Sequence, residues 1–523
     1  MTLLDFFRSI LRRLAAMLFF PSGLKSMDVS PKTCDTEVTV VEATEDIRTL
    51  DDLRVEIMRL FRYPCTMERM LSMSSALRMQ YKAKLRDSDA CMLPSYCHTL
   101  PNGQEKGTYI SLDVGGSTFR VALVELRGRH AKSSPMAIRR MSTYKIDEQI
   151  RRLPSARFFD WMAGRIQEML EQEQETRPLD EPLPIGLAWS FPIEQTSHRG
   201  GKLQGMGKGF SCHEDTIGME LGTLVESACA KRRLNVRVEA IVNDSSATLL
   251  SQAYLDPETS MGLILGTGTN AAAYLPTSCM GTSKFGMREP SWFDKAEKVI
   301  INTELSMFGK SILPQTRWDQ LLNVQHHMPD FQPLEYMTTG RYLGELLRLI
   351  IAEAVEMGGL FQGIMPEHLT ECYSLDTELL AQLEQDRSRN LKDSTLIIQK
   401  AFGLKMIPTA EEVAFLRSVT ESISYRASAY IAVAVHALWA LQRDPEINPA
   451  GQKESPKTSI ACNGSVILKY PGFKDRCQGF LHQMVKSGSL AQRVFASDKI
   501  ALQPTFEAAV FGAAVAVALA NVP

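Results

Sequence analysis

The chain has 523 residues, 44% of them apolar and 23% charged, with a formal net charge of −2. This length suffices for two or three domains around a large buried core, and the near-neutral balance gives no electrostatic reason to expect nucleic acid as a partner. Ten cysteines, with no C-x-x-C pair and no His/Cys cluster at zinc spacing, argue for reduced cytosolic thiols and against a structural metal.

Residues 3–20 carry Arg8, Arg12 and Arg13 and stop before Pro21. On a helix, Leu3, Phe7, Ile10, Leu14 and Met17 share one stripe, while Asp5, Arg8 and Arg12 share another. The apolar run at 14–20 is too short to span a bilayer, and it lacks the small-residue cleavage site of a secretory signal. An Arg-rich amphipathic segment of this kind suits membrane-surface docking or mitochondrial targeting. Packing on the body of its own chain is the equal alternative. The expected location is cytoplasmic, with association to mitochondria through this segment. A polar linker follows to about Asp46.

Helical periodicity begins near Leu50, with Leu53, Ile57, Leu60 and Phe61 on one face. Pro94 and Pro101-Asn102-Gly103 mark loops. Two β-rich runs, 107–112 and 119–126, flank Asp113-Val114-Gly115-Gly116-Ser117-Thr118, which predicts a hairpin. The basic stretch 127–140, with Arg129, Lys132 and Arg139, reads as a solvated hairpin tip. A helix over 158–173 and a strand over 183–189 come next. Another strand runs into Asn243 and Asp244, where a helix starts because Asp244, Ser245 and Ser246 are all N-cap types. A second glycine hairpin, Gly266-Thr267-Gly268-Thr269-Asn270, lies between β-rich runs 261–265 and 271–275. From 334 onward the chain is mainly helical, with a strand near 459–462, a loop at Asn463-Gly464-Ser465, and a small-residue helix over 508–522 that is too short for a membrane span. Alternating strands and helices with two similar strand–glycine turn–strand units predict an α/β chain with a duplicated core.

Transferring phosphate to a sugar hydroxyl requires a carboxylate to take the proton, polar groups to hold the sugar, and turns rich in backbone N–H to cradle the polyphosphate. The glycine pair after Asp113 permits close approach to phosphate, Asp113 suits hydrated Mg2+, and Arg120 suits phosphate oxygens. Either glycine turn alone would read as an ordinary hairpin; the two together favour phosphate binding. Asp244, placed by the backbone at a strand-to-helix junction beside Asn243, is the candidate base, against plain N-capping as the alternative. Glu304 and Glu335 are candidates to accept from sugar hydroxyls.

Residues 185–210 read Gly-Leu-Ala-Trp-Ser-Phe-Pro, then Glu194-Gln195-Thr196-Ser197, then Gly207-Lys208-Gly209-Phe210. This resembles the sugar signature of the hexokinase family, in which a Ser-Phe-Pro loop and a Thr-Lys-Gly-Phe segment line the glucose pocket. The stretch 112–120 resembles that family's first phosphate turn and 266–270 its second. Ile241-Val242-Asn243-Asp244 is similar to the segment with the catalytic aspartate, Asn302-Thr303-Glu304 and Leu334-Glu335-Tyr336 to segments giving two sugar-binding glutamates, and Asn463-Gly464-Ser465 to the adenosine contact. The resemblance runs in order from about residue 50 to the C-terminus. It implies an α/β, actin-like (ribonuclease H-like) two-domain sugar kinase fold with a ligand cleft between a small and a large domain. Asp244 would then deprotonate the 6-hydroxyl of a hexose held by Ser190, Lys208, Asn243, Asn270, Glu304 and Glu335. Asp113, Gly115, Gly116, Ser117, Arg120, Thr267 and Ser465 would serve ATP, with Asp113 holding Mg2+ through water. The expected division is residues 1–45 as N-terminal segment and linker, 46–106 as helices on the large domain, 107–243 as the small domain, 244–500 as the large domain, and 501–523 as a helix returning to the small domain.

The chain also departs from that pattern. Gly207 stands for a threonine, Thr118 for an asparagine, Asn463 for an aspartate, Leu305-Ser306 for a Trp-Gly pair, and Ser246 for an apolar residue. Where the family has a Gly/Ser-rich turn before its last helix, this chain has Glu507-Ala508-Ala509-Val510-Phe511. Side chains with a Cβ tolerate positive φ poorly, so that turn is expected to change shape. Two readings follow: an ATP-dependent hexose kinase feeding glycolysis, which the kept carboxylates favour, or a catalytically impaired sugar-binding regulator, which the altered nucleotide end favours.

Overall fold

A computed structural model describes residues 49–172, 181–206, 210–211, 216–448, 457–487 and 499–520. The N-terminal segment at 3–20, its linker, Gly207 and Lys208 lie outside the described residues.

Two sheets carry the molecule. The smaller lobe holds β2 (Lys106–Val114), β3 (Thr118–Arg127), β4 (Met136–Lys145), β5 (Leu183–Trp189) and β8 (Val236–Val242) in the order β4-β3-β2-β5-β8. A two-stranded ribbon, β6 (Ile193–Gln195) with β7 (Gly201–Leu203), lies beside it. The larger lobe holds β1 (Leu93–Pro94), β9 (Thr259–Leu265), β10 (Thr269–Pro276), β11 (Lys298–Asn302), β12 (Lys457–Asn463) and β13 (Lys499–Pro504) in the order β1-β11-β10-β9-β12-β13. Without the two-residue edge strand β1, the second order repeats the first. Each sheet has an antiparallel meander of three strands followed by two parallel strands. The duplication expected from two glycine hairpins is therefore present in the topology of the whole sheets.

Each sheet's last strand feeds a helix. Asp244–Leu255 follows β8 and Ala508–Ala520 follows β13. The exchange is reciprocal: Ala508–Ala520 covers β2, β5 and β8, while Asp244–Leu255 covers β9, β10 and β12. The two helices cross with their backbones nearly touching, since a Cβ on Gly512 would lie 1.9 Å from the Ala247 carbonyl oxygen. Only glycine fits that crossing. It joins the lobes through an apolar seam containing Ala247, Leu250, Ala513, Val517 and Ala188.

The larger core is mostly helical. The 33-residue helix Ala410–Gln442 runs through it, buried over most of its length, with helices Leu50–Arg62 and Met67–Asp87 against it. Leu50–Arg62 starts at a capping box between Thr49 and Asp52 and buries Leu53, Ile57 and Phe61, the stripe read from the sequence. Two expectations are corrected. The basic stretch 127–140 is not all hairpin tip, because strand β4 already begins at Met136 and its alternating exposure hides its identity among charged residues. The segment from 501 is not all returning helix, because β13 extends to Pro504 in the large sheet and the helix starts at Ala508. Among the described residues eight cysteines are free, and no helix is long and apolar enough to cross a membrane.

Candidate active site

The carboxyl ends of parallel strands, where ligands collect in open α/β sheets, all open on one region. In the small lobe, β2 ends into Gly115-Gly116-Ser117, β5 into Ser190, and β8 into Asn243 and Asp244. Register fixes their neighbourhood: Asp113 sits opposite Ala188, and Ala188 opposite Val242. The Ser190 N–H donates to the Val114 carbonyl at 3.2 Å, which clamps the serine against the first turn.

Asn243 caps the helix, its Oδ1 accepting from the Ser245 N–H at 2.9 Å and from the Ser245 hydroxyl at 2.7 Å. The capping role that competed for Asp244 is thus filled by its neighbour. Asp244 Oδ1 accepts from the Ser245 N–H at 2.7 Å, which fixes the rotamer. Its Oδ2 faces the Ser190 hydroxyl at 3.4 Å. The side chain so held, next to a hydroxyl and at a helix N-terminus, is placed by the backbone.

From the larger lobe, β10 and β11 bring amides and a second carboxylate. Asn270 Nδ2 donates to Asn302 Oδ1 at 2.9 Å and lies 3.5 Å from Asn243 Oδ1. Asn302 Nδ2 donates to Glu304 Oε1 at 2.8 Å. A chain of polar groups therefore runs from Asn243 through Asn270 and Asn302 to Glu304, bridging the lobes. Burial pushes the Glu304 carboxyl above its ordinary range; Asn302 opposes that shift, and the charge of Asp244 adds to it. Glu304 itself has φ +52, a left-handed conformation that costs a non-glycine residue about 1 kcal/mol or more and turns its side chain away from the run of β11. Glu335 Oε2 accepts from the Thr269 N–H at 3.0 Å, so it braces the second turn. Ser190, Asn243, Asp244, Asn270, Glu304 and Glu335 are brought to one cleft; Lys208 lies outside the described residues.

In the first glycine turn, the Gly115 N–H closes on the Thr118 carbonyl at 3.0 Å, and the Ser117 carbonyl accepts from the Ile146 N–H at 2.8 Å. Thr118 is thus used through its backbone. Arg120 Nη1 donates to Asp113 Oδ2 at 2.7 Å. Burial raises the Asp113 carboxyl to about 6, against the lowering effect of Arg120, with Asp244 and Glu507 raising it further. In the second turn, the Gly266 carbonyl accepts from the Gly340 N–H at 2.8 Å, which ties the turn to helix Gly340–Gly358. Gly464 has φ +118, and a Cβ there would lie 2.3 Å from the Leu265 carbonyl oxygen, so Ser465 is carried close against Gly266. Thr267 and Ser465 are both exposed.

In the stretch before the last helix, Ala508 is already helical and Glu507 carries a positive φ of +49. The Phe511 N–H donates to the Glu507 carbonyl at 3.0 Å, so Glu507 opens the first turn of that helix. Asn463 Nδ2 donates to the Thr505 carbonyl at 2.7 Å, a bond an aspartate could not donate. Glu507 Oε2 stands 3.9 Å from Arg120 Nε.

Family models described as hexokinase match residues 56–254 and 260–519. The chain belongs to the hexokinase family. It is 32% identical over 434 residues to hexokinase-1 of Saccharomyces cerevisiae, covering 82% of this chain and 84% of that one. It is 30% identical over 388 residues to the hexokinase of Kluyveromyces lactis, covering 74% and 75%. In structure it is similar to the hexokinase of Schistosoma mansoni solved with glucose, with a TM-score of 0.74, 26% identity, and coverage of 90% and 100%. The two-lobed actin-like sugar kinase fold is that of the hexokinases.

Against this family background, one site residue escaped the sequence reading. Asn302 joins Asn270 to Glu304, and its signal was the Asn-x-Glu spacing at a strand end, where the asparagine reads as strand terminus. The Leu305-Ser306 departure is accommodated: Leu305 is fully buried, its N–H donates to Asn270 Oδ1 at 3.3 Å, and the Ser306 hydroxyl accepts from Gln332 at 3.2 Å. Ser246 is buried with its hydroxyl unpartnered, and nothing in the structure explains it.

Proposed function

We propose that this hexokinase transfers the γ-phosphate of ATP to the 6-hydroxyl of a glucose-like hexose, with Asp244 as the base. ATP-dependent phosphorylation of a hexose, at the head of glycolysis, follows from family membership; the residue roles are our reading. The observation that carries it is the convergence of Asp244, Ser190, Asn243, Asn270 and Glu304 from the strand ends of both sheets. Asp244, fixed by the Ser245 N–H, takes the proton as the hydroxyl oxygen attacks phosphorus, a contribution of about 10²–10⁴ in rate for general base catalysis. The amides of Asn243 and Asn270 and the carboxylates of Glu304 and Glu335 bind the sugar hydroxyls, with Lys208 as a further ligand. The two glycine turns, with Thr267 and Ser465, hold the triphosphate, and Arg120 pairs with its oxygens.

The donor set suits Mg2+. Asp113 offers one buried carboxylate at the base of the first turn, and among the described residues no group of three acidic, histidine or cysteine side chains forms a protein cage. Mg2+ is ordinarily held by one or two carboxylates with substrate phosphates and water. When bound with the nucleotide it neutralises phosphate charge. Asp113 and Arg120 hold the turn that receives it. Cytoplasmic location, and docking of residues 3–20 on a membrane surface such as that of mitochondria, are proposals that rest on the amphipathic Arg-rich pattern alone.

The test is a coupled assay for ADP release with glucose, mannose and fructose. Asp244→Ala should lower turnover at least a hundredfold while glucose still binds by calorimetry. Full turnover in that variant would remove Asp244 from its role. A native chain that binds glucose yet releases no ADP would instead support the non-catalytic alternative.

A further inference from the structure

A second concave site lies in the large lobe, outside the cleft. It encloses about 330 Å³, at the lower end of the volumes that small-molecule sites occupy. Four arginines line it, three from helices and one from a connecting segment: Arg62, Arg417 and Arg476, and Arg387. Two carboxylates line it with them, and both are engaged. Glu421 accepts from Arg417 Nε at 3.1 Å. Glu384 accepts from the Tyr470 hydroxyl at 2.5 Å and from Arg476 Nη1 at 3.2 Å.

Arg62 and Arg387 are left without a carboxylate among the described residues. The Arg62 guanidinium lies over the Tyr425 ring, 5.2 Å from its centre. Arg387 Nη1 donates to the carbonyls of Glu384 and Asp386 at 3.0 and 3.3 Å, which orients its plane without neutralising it. The Asp386 carboxylate is turned elsewhere, accepting from the N–H groups of Ser388 and Ser394 at 2.7 and 2.8 Å. Pro471 and Gly472, on the rim, lead into the fifteen-residue helix Phe473–Ser487. The positive end of that helix adds to the charge; Asp475 in its first turn is paired with Lys474 at 3.1 Å. Guanidinium forks gathered in a pocket without matching carboxylates are the recognition chemistry of a phosphate group. The Tyr425 ring supplies an apolar wall beside them.

We propose that this pocket binds a small phosphate-bearing anion, inorganic phosphate or a phosphate monoester, through Arg62 and Arg387. It is separate from the catalytic cleft: Thr377 Oγ1, at the start of helix Thr377–Gln385, meets the Gly340 carbonyl beside the second turn, and Glu384 lies seven residues on, about 10 Å along the helix axis.

Calorimetric titration of the full chain with inorganic phosphate, and separately with glycerol 3-phosphate, tests the site. One saturable site is expected, weakened at least tenfold in Arg62→Ala/Arg387→Ala. Tighter binding of glycerol 3-phosphate would assign the pocket to an organic monoester, and tighter binding of inorganic phosphate to the free ion. Because Arg387 also holds a loop through two carbonyls, Arg62→Ala alone is the control for folding. It should weaken binding at least threefold while leaving hexose phosphorylation without added phosphate unchanged. Equal binding by the native chain and both variants would place the anion elsewhere, and no saturable binding of either probe would leave the arginines as scaffold; each result overturns the proposal.

Discussion

Replacing Asn302 with alanine removes the middle of the polar chain between the lobes while leaving Asp244 and its contacts intact. Two bonds are lost. One runs from Asn302 Nδ2 to the Glu304 carboxylate at 2.8 Å, and the other reaches Asn302 Oδ1 from Asn270 Nδ2 at 2.9 Å. A bond to a charged group is worth about 1.5–3 kcal/mol and a neutral one about 0.5–1.5 kcal/mol. The sum is about 2–4.5 kcal/mol, shared between fold stability and sugar affinity. If about half falls on affinity, the KM for glucose rises roughly fivefold to fortyfold, at tenfold per 1.4 kcal/mol. The kcat should change by less than about threefold, since the base is untouched. Glu304 supplies a second readout. Its carboxyl is raised by burial, and Asn302 is the group that opposes the shift. Without Asn302 its pKa rises further, so sugar affinity, which needs the carboxylate, should begin to fail at higher pH than in the native chain. Steady-state kinetics with glucose across the acid range measures both effects. An unchanged KM together with an unmoved acid limb would refute the role given to this network.

The remaining predictions concern the nucleotide side and the seam. Asn463→Asp replaces a donor with an acceptor facing the Thr505 carbonyl; it should cost about 1–3 kcal/mol of stability and raise the KM for ATP without moving that for hexose, and equal urea midpoints with equal ATP kinetics would count against it. Burial pushes the Asp113 carboxyl up to about 6 in the folded chain, against 3.8 for an unperturbed aspartate, so between those values the folded chain holds a proton the unfolded chain has released, and its contribution to stability falls as pH rises from about 4 to 6. Asp113→Asn should flatten that part of the stability–pH curve and weaken ATP binding; a curve of identical slope would contradict the assignment. Gly512→Val forces a Cβ into the Ala247 backbone, so a loss of about 1–3 kcal/mol or more should appear as a lower urea midpoint, and an unaffected midpoint would mean the crossing is looser than described.

The parts of this molecule that were legible in the sequence are those encoded by backbone constraints. Gly115-Gly116 and Gly266-Thr267-Gly268 announce turns because glycines between two β-rich runs are a hairpin signal; none of the four has a positive φ. Asn243 and Asp244 announce a helix start because short polar side chains satisfy its free N–H groups. Strand β4 was hidden because one of its faces is solvated and charged, so its alternation lies in exposure more than in hydrophobicity. The reciprocal exchange of helices could not be read at all: Gly512 sits in a run of small residues, and what makes it irreplaceable is Ala247, 265 positions earlier in the chain. Asn302 was passed over for a related reason: Glu304 stands two residues on, but Asn270 reaches Asn302 only through the pairing of β10 with β11.

The departures at the nucleotide end make one consistent unit once their contacts are known. Alanine, valine and phenylalanine after Glu507 favour helix over the left-handed turn that glycine would allow, and the helix accordingly starts at Ala508. That leaves a single positive φ, at Glu507, where a non-glycine residue bears about 1–3 kcal/mol of strain. Such strain persists only if the flanks are held. On one side Asn463 and the Cys462 carbonyl hold Thr505, by its carbonyl and N–H. On the other the Phe511 N–H holds the Glu507 carbonyl. The Asn463 amide therefore supplies a donor that helps hold the flank of the strained backbone at Glu507. Arg120 stands between Asp113 and Glu507, so the first glycine turn and the start of the last helix meet through one cation at the carboxyl ends of β2 and β13.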